Sequence, residues 1–65
     1  MKILINGQEV VLNSTTLQEL LDSLGHEPES VATAVNQEFV SIEKRSRHEL
    51  SDGDSIDIIA PMAGG

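Results

Sequence analysis

Leu17, Leu20, Leu21 and Leu24 fall at i, i+3, i+4 and i+7, which lines four leucines along one stripe of a helix. Thr16 followed by Glu19 makes a capping box at the start of that stripe, and Gly25 stands where a left-handed cap closes a helix. Four buried leucines carry about 6–12 kcal/mol of transfer free energy before entropy is subtracted. A lone helix cannot realise that energy in water, so the stripe must lie against a sheet supplied by the rest of the chain.

The rest of the chain changes period. "MKILINGQEVVLN" holds two apolar runs around Asn6-Gly7, the strongest short-range hairpin signal. Ile3 and Ile5 share one face of the first strand, Val10 and Leu12 extend that face in the second, and Leu4 points the other way. After "EPES", the stretch "VATAVNQEFV" reads as two short strands around Asn36-Gln37, with Val31, Thr33 and Val35 on one face. "SIEKRSRHEL" shows no clean period and reads as irregular with a helical turn. "SDGD" is a tight turn before "SIDIIA", the last strand, in which Ile56 and Ile58 face the core and Ile59 faces outward.

The order is therefore strand, strand, helix, strand, strand, strand, an α+β pair of layers. A last strand laid beside the first runs parallel to it and takes the middle of the sheet. This is the ubiquitin-like β-grasp arrangement, a mixed five-stranded sheet with one helix packed across one face. The expectation is a domain over residues 1–60 and a flexible tail over 61–65. Pro61 cannot donate to a strand ladder, so the tail ending in Gly64-Gly65 projects rather than docks.

At 65 residues the chain has room for one domain. It contains no cysteine, so neither a disulfide nor a thiolate zinc site braces it, and Phe39 is its one aromatic residue. Four basic against eleven acidic residues give a formal charge of −7, which repels nucleic acid and favours basic protein partners. "MKILING" is too short for a signal peptide, and no apolar run approaches a membrane span. The expectation is a cytoplasmic protein bound to neither nucleic acid nor membrane.

Chemistry-bearing patterns fall away one by one. "LDSLG" contains the Asp-Ser-Leu of acyl carrier proteins, but there the serine opens a helix in an all-helical bundle, whereas Ser23 lies near the end of a helix among strands. "DGDSID" begins like a calcium loop, yet counting from Asp52 puts Ile56 at position 5, Asp57 where glycine is required and Ala63 at position 12. His26 and His48 lie far apart without a Ser/His/Asp pattern, and no glycine-rich phosphate loop is present. Lys44, Arg45 and Arg47 form the one basic cluster, read as a solvated face rather than an anion site. No catalytic residue, no metal site and no bound cofactor is expected, and the chain is not read as an enzyme.

What stands out is the ending, Ala63-Gly64-Gly65, because two glycines oppose ordered structure. With "MKILING", "AVNQEFV" and "LSDGDSIDII" in that order before it, the chain resembles the ThiS-type sulfur carriers of thiamine biosynthesis. The molybdopterin-synthase small subunit is similar in fold and also ends Gly-Gly, but often carries a double proline where this chain has Ala60-Pro61. Ubiquitin has an arginine in its tail, absent here.

The resemblance implies a carrier rather than an enzyme. An E1-like adenylyltransferase uses ATP to join the Gly65 carboxylate to AMP. Sulfur, usually from a cysteine desulfurase, then makes the thiocarboxylate, and thiazole synthase takes that sulfur. Gly64 and Ala63 would thread the adenylating channel. Leu4 and Ile59 are expected to lie close together on the sheet face away from the helix, as a docking patch for these partners. Sulfur donation to molybdopterin or another acceptor, and a ubiquitin-like modifier joined through Gly65 to lysines, are the competing readings.

Overall fold

Asn6 and Gly7 take left-handed φ values of 50° and 83°, and Asn36 and Gln37 take 51° and 72°. Two consecutive left-handed residues match the twist of the strands they join, so each pair closes a two-residue hairpin. The computed structural model describes residues 1–13 and 15–60. Within them β1 (Lys2–Ile5) pairs antiparallel with β2 (Gln8–Val11). β3 (Ala32–Val35) pairs antiparallel with β4 (Glu38–Val40). β5 (Ser55–Ile59) joins the two hairpins, running parallel to β1 and antiparallel to β3. The order across the sheet is β2-β1-β5-β3-β4, with the final strand in the middle as the β-grasp reading expects.

The helix α1 spans Leu17–Leu24. At its start the Thr16 hydroxyl accepts from the Glu19 amide at 3.2 Å, while Glu19 Oε1 accepts from the Thr16 amide at 3.0 Å. At its end Gly25 sits at φ 80°, its amide donating to Asp22 O, and the His26 amide donates to Leu21 O at 3.1 Å. This pairing satisfies carbonyls that the last turn leaves open. Leu17, Leu20 and Leu21 are fully buried against Ile3, Val35, Ile56 and Ile58.

Leu24 departs from expectation, being about half exposed. Seven residues of rise carry it about 10 Å from Leu17, to the last residue of a helix only eight residues long, where it passes the edge of the core. Three buried leucines, worth about 5–9 kcal/mol, hold the helix to the sheet.

A short 3-10 turn at Pro28–Ser30 leads from α1 into β3, and a second at Ile42–Arg47 lies between β4 and β5. The second corrects the reading of the basic cluster. Lys44 and Arg47 are exposed, but Arg45 is 1% exposed. Its Nε donates to Thr33 Oγ1 at 3.1 Å, Nη1 to Pro28 O at 2.7 Å and Nη2 to Val31 O at 2.6 Å. Thr33 passes the bond on, its hydroxyl donating to Val40 O at 2.9 Å. The guanidinium thus ties the second 3-10 turn to β3 and to the first 3-10 turn. Burial lowers its pKa from the ordinary value, yet a guanidinium keeps its proton at neutral pH.

Candidate functional site: the open sheet face and the end of β5

Side chains alternate across strands, so the sheet has a face that the helix does not cover. β5 sends Ile56 and Ile58 into the core and leaves Ser55, Asp57 and Ile59 on the open side. Ile59 is 60% exposed and lies directly opposite Ala32 of β3. In the next row Asp57 faces Ala34, and Ala34 faces Phe39 of β4. Phe39 is 73% exposed. Phe39 and Ile59 thus stand diagonally across a floor of two half-buried alanines, two strands and one row apart, with the half-buried Asp57 beside Ala34. This mainly apolar patch lies at the end of the sheet where β5 finishes.

Leu4 is exposed on the same face, as alternation in β1 expects, but it is not a neighbour of Ile59. The register sets Leu4 beside Ser55 and Ile5 beside Ile56. Ile59 lies four residues further along β5, about 13 Å away along the strand. Alternation sets the face of each residue, whereas the β1–β5 register sets its distance from the other, and the two strands overlap through few residues. Around Leu4 lies a shallow depression of about 260 Å³ lined by Lys2, Ile3, Glu9, Asp52 and Gly53 as well as Leu4 itself. Lys2 and Glu9 approach to 3.8 Å there, both largely exposed, and such a pair contributes little.

Phe39 is the exposed apolar residue of this face that sequence reasoning left without a role. A signal was available: Val40 is inward, so its neighbour Phe39 must point outward, and the Asn36-Gln37 turn brings Phe39 opposite Ala34.

Gly65, Gly64 and Ala63, the residues expected to carry the chemistry, lie outside the described residues, as does Pro61. The described chain leads up to them through β5 and Ala60. Among the described residues no group of three His, Cys, Asp or Glu side chains could hold a metal ion. No helix among them is long and apolar enough to cross a membrane.

Comparison with known proteins agrees with this geometry. The model of the ThiS family matches residues 3–65, a span that includes the Gly-Gly ending. A Thermus thermophilus protein named "Sulfur carrier protein ThiS" is 39% identical over 62 residues, covering 94% of this chain and 95% of that one. Its Escherichia coli namesake is 36% identical over the full length of both. A third relative, from Paramagnetospirillum magneticum and named "Thiazole synthase", is 36% identical over the whole of this chain but only 20% of its own length. Among solved structures, the crystal structure of thiamine biosynthesis protein ThiS from Geobacter metallireducens superposes with a TM-score of 0.84 at 26% identity, covering all of both chains. With the hairpins, the capped helix and the central parallel strand in place, and a family match that runs to the last residue, this chain belongs to the ThiS family.

Proposed function

We propose that this chain is the sulfur carrier of thiamine biosynthesis and that Gly65 is the residue on which the sulfur is carried. The observation that carries this reading is the match to the ThiS family through residue 65, beyond a strand at the centre of the sheet. A carboxylate is anionic and a poor electrophile. Attack of a Gly65 carboxylate oxygen on the α-phosphate of ATP releases pyrophosphate and gives an acyl-adenylate. Hydrosulfide displacing AMP at the acyl carbon gives the thiocarboxylate directly. Sulfur delivered as a desulfurase persulfide displaces AMP to give an acyl disulfide, which a thiol then cleaves, releasing the thiocarboxylate and leaving the two other sulfurs as a disulfide. The chain is carrier and co-substrate; the catalytic groups belong to its partners.

Those partners are an E1-like adenylyltransferase, a sulfur source such as a cysteine desulfurase, and thiazole synthase as acceptor. The relative named "Thiazole synthase" supports the last of these, because a segment like this chain occupies a fifth of that polypeptide. Use of ATP and a desulfurase places the work in the cytoplasm. The apolar patch of Phe39 and Ile59 is the docking surface, since it lies where β5 ends and the chain runs on toward Gly65. Leu4 is exposed on the same face but apart from that surface. A glycine at position 64 suits a narrow channel, because a residue without Cβ takes backbone angles closed to others.

Intact mass after incubation with ATP, the adenylyltransferase and a sulfur source tests the reading. One oxygen replaced by sulfur is expected, whereas a lysine-linked adduct or an unchanged mass refutes it. Deleting Gly65 should abolish ATP–pyrophosphate exchange, and Gly64→Val should reduce it about a hundredfold, as misplacement of a reacting group by about 1 Å can. Normal exchange by Gly64→Val would refute the channel argument.

A further inference from the structure

β5 has two neighbours, but β1 turns away before β5 ends. The last backbone bond from the β1 side is the Asn6 amide donating to Ile56 O at 2.9 Å. Beyond it the chain reverses through Asn6-Gly7, so the amide and carbonyl of Ile58 have no strand beside them on that edge. The Asn6 side chain takes the place of the missing strand. Its Oδ1 accepts from the Ile58 amide at 2.9 Å and its Nδ2 donates to Ile58 O at 3.2 Å. One carboxamide thus supplies the acceptor and the donor that two successive partners on a continuing parallel strand would have supplied.

The other hairpin mirrors this at the opposite end of β5. The Asn36 Oδ1 accepts from the Ser55 amide at 3.0 Å, and its Nδ2 donates to Asp54 Oδ1 at 3.0 Å. Both asparagines are left-handed turn residues, and both hold the backbone of the central strand. They differ in where they hold it. Asn36 grips the start of β5, far from the reacting end, and Asn6 grips Ile58, next to the exposed Ile59 and close to the point where the chain leaves the sheet.

Building on the reading of Gly65 as the reacting end, we propose that Asn6 is a positioning residue for activation of the carboxyl terminus. Its carboxamide fixes the backbone at Ile58 and thereby the direction in which the chain enters the adenylating site. Asn6 touches no reacting atom. Its effect passes through the frame on which the tail is mounted, and tail activation is sensitive to that frame because small displacements of a reacting group are costly. A merely structural role would make Asn6 and Asn36 equivalent; the positioning role makes them differ.

The test compares Asn6→Gly with Asn36→Gly in the full chain. Glycine keeps the left-handed turn conformation in both and removes a carboxamide clamp from each. Urea unfolding should show similar losses of stability. In ATP–pyrophosphate exchange with the adenylyltransferase, Asn6→Gly should lower kcat about tenfold with KM for the carrier within about twofold, as expected of misplacement rather than lost docking. Asn36→Gly should leave kcat near the wild-type value. Hydrogen exchange at the Ile58 amide should quicken in Asn6→Gly and not in Asn36→Gly, and Asn6→Asp, which keeps the acceptor for that amide, should restore part of kcat. Equal changes of kcat in the two glycine variants, or none in Asn6→Gly, would overturn the proposal while wild-type exchange leaves the carrier reading intact. Absence of exchange with the wild-type chain would overturn the carrier reading itself, and the positioning role with it.

Discussion

Arg45→Met removes the buried fork and keeps a long apolar stem. Three hydrogen bonds from a charged donor are lost, each worth about 1.5–3 kcal/mol. Against this stands relief from burying a charge, a cost of several kcal/mol when no carboxylate pairs with it. Among the described residues the one ion pair is Lys2 with Glu9, so Arg45 is balanced by carbonyl and hydroxyl oxygens alone. The consequences differ by acceptor. Thr33 Oγ1 keeps its bond to Val40 O, and Pro28 lies in an exposed turn where water can replace the donor. Val31 is buried, and its carbonyl left unpaired costs about 1–3 kcal/mol. With the link between both 3-10 turns and β3 also gone, the net loss should be about 2–4 kcal/mol. A domain of this length holds about 3–10 kcal/mol in all, so the loss is a large share. With a urea dependence near 1 kcal/mol per molar, the unfolding midpoint should fall by about 2–4 M. Arg45→Lys keeps the charge without the fork and should fall between the two. A midpoint for Arg45→Met within about 0.5 M of wild type, or above it, would refute the argument and make the guanidinium a tolerated passenger in the core.

Phe39→Asp and Ile59→Glu should weaken binding to the adenylyltransferase in calorimetry with the unfolding curve little changed, and Leu4→Glu should weaken it less; equal losses at all three positions would refute the separation of Leu4 from the patch. Glu19 accepts from the Thr15 hydroxyl and from the Thr15 and Thr16 amides, the hydroxyl bond being the largest influence, and these hold its carboxyl below the usual carboxylate range. The unfolded chain then binds more protons than the folded one in acid, so this contribution is complete above the ordinary carboxylate pKa and is lost as pH falls through the lowered folded value. Glu19→Gln should therefore flatten part of the acid decline of Tm, and superimposable acid limbs for the two proteins would refute the assignment.

Much of the fold is legible because its signals are local. The Asn6-Gly7 and Asn36-Gln37 turns, the Thr16–Glu19 capping box and the Gly25 cap are each decided within a few residues by allowed φ/ψ angles and by which side chain reaches the nearest amide. The faces of Ile56, Ile58 and Ile59 follow from the period of a strand, and the place of β5 beside β1 from the order of the elements. Three features were not legible, and each rests on residues brought together from distant parts of the chain. Arg45 reads as a solvated cation until β3 and the first 3-10 turn surround it, because no property of "EKRSR" reveals which carbonyls will face it. Leu4 and Ile59 share a face by alternation, but their separation is a matter of register between strands joined by nearly the whole chain. The carboxamide of Asn6 looks like turn chemistry and nothing more until Ile58, 52 residues away, arrives on the edge that β1 has vacated. Local backbone preference determined the elements and their faces; the long-range packing of β5 between the two hairpins decided which side chains meet, because hydrogen-bond partners and strand register exist only once the ends of the chain are side by side.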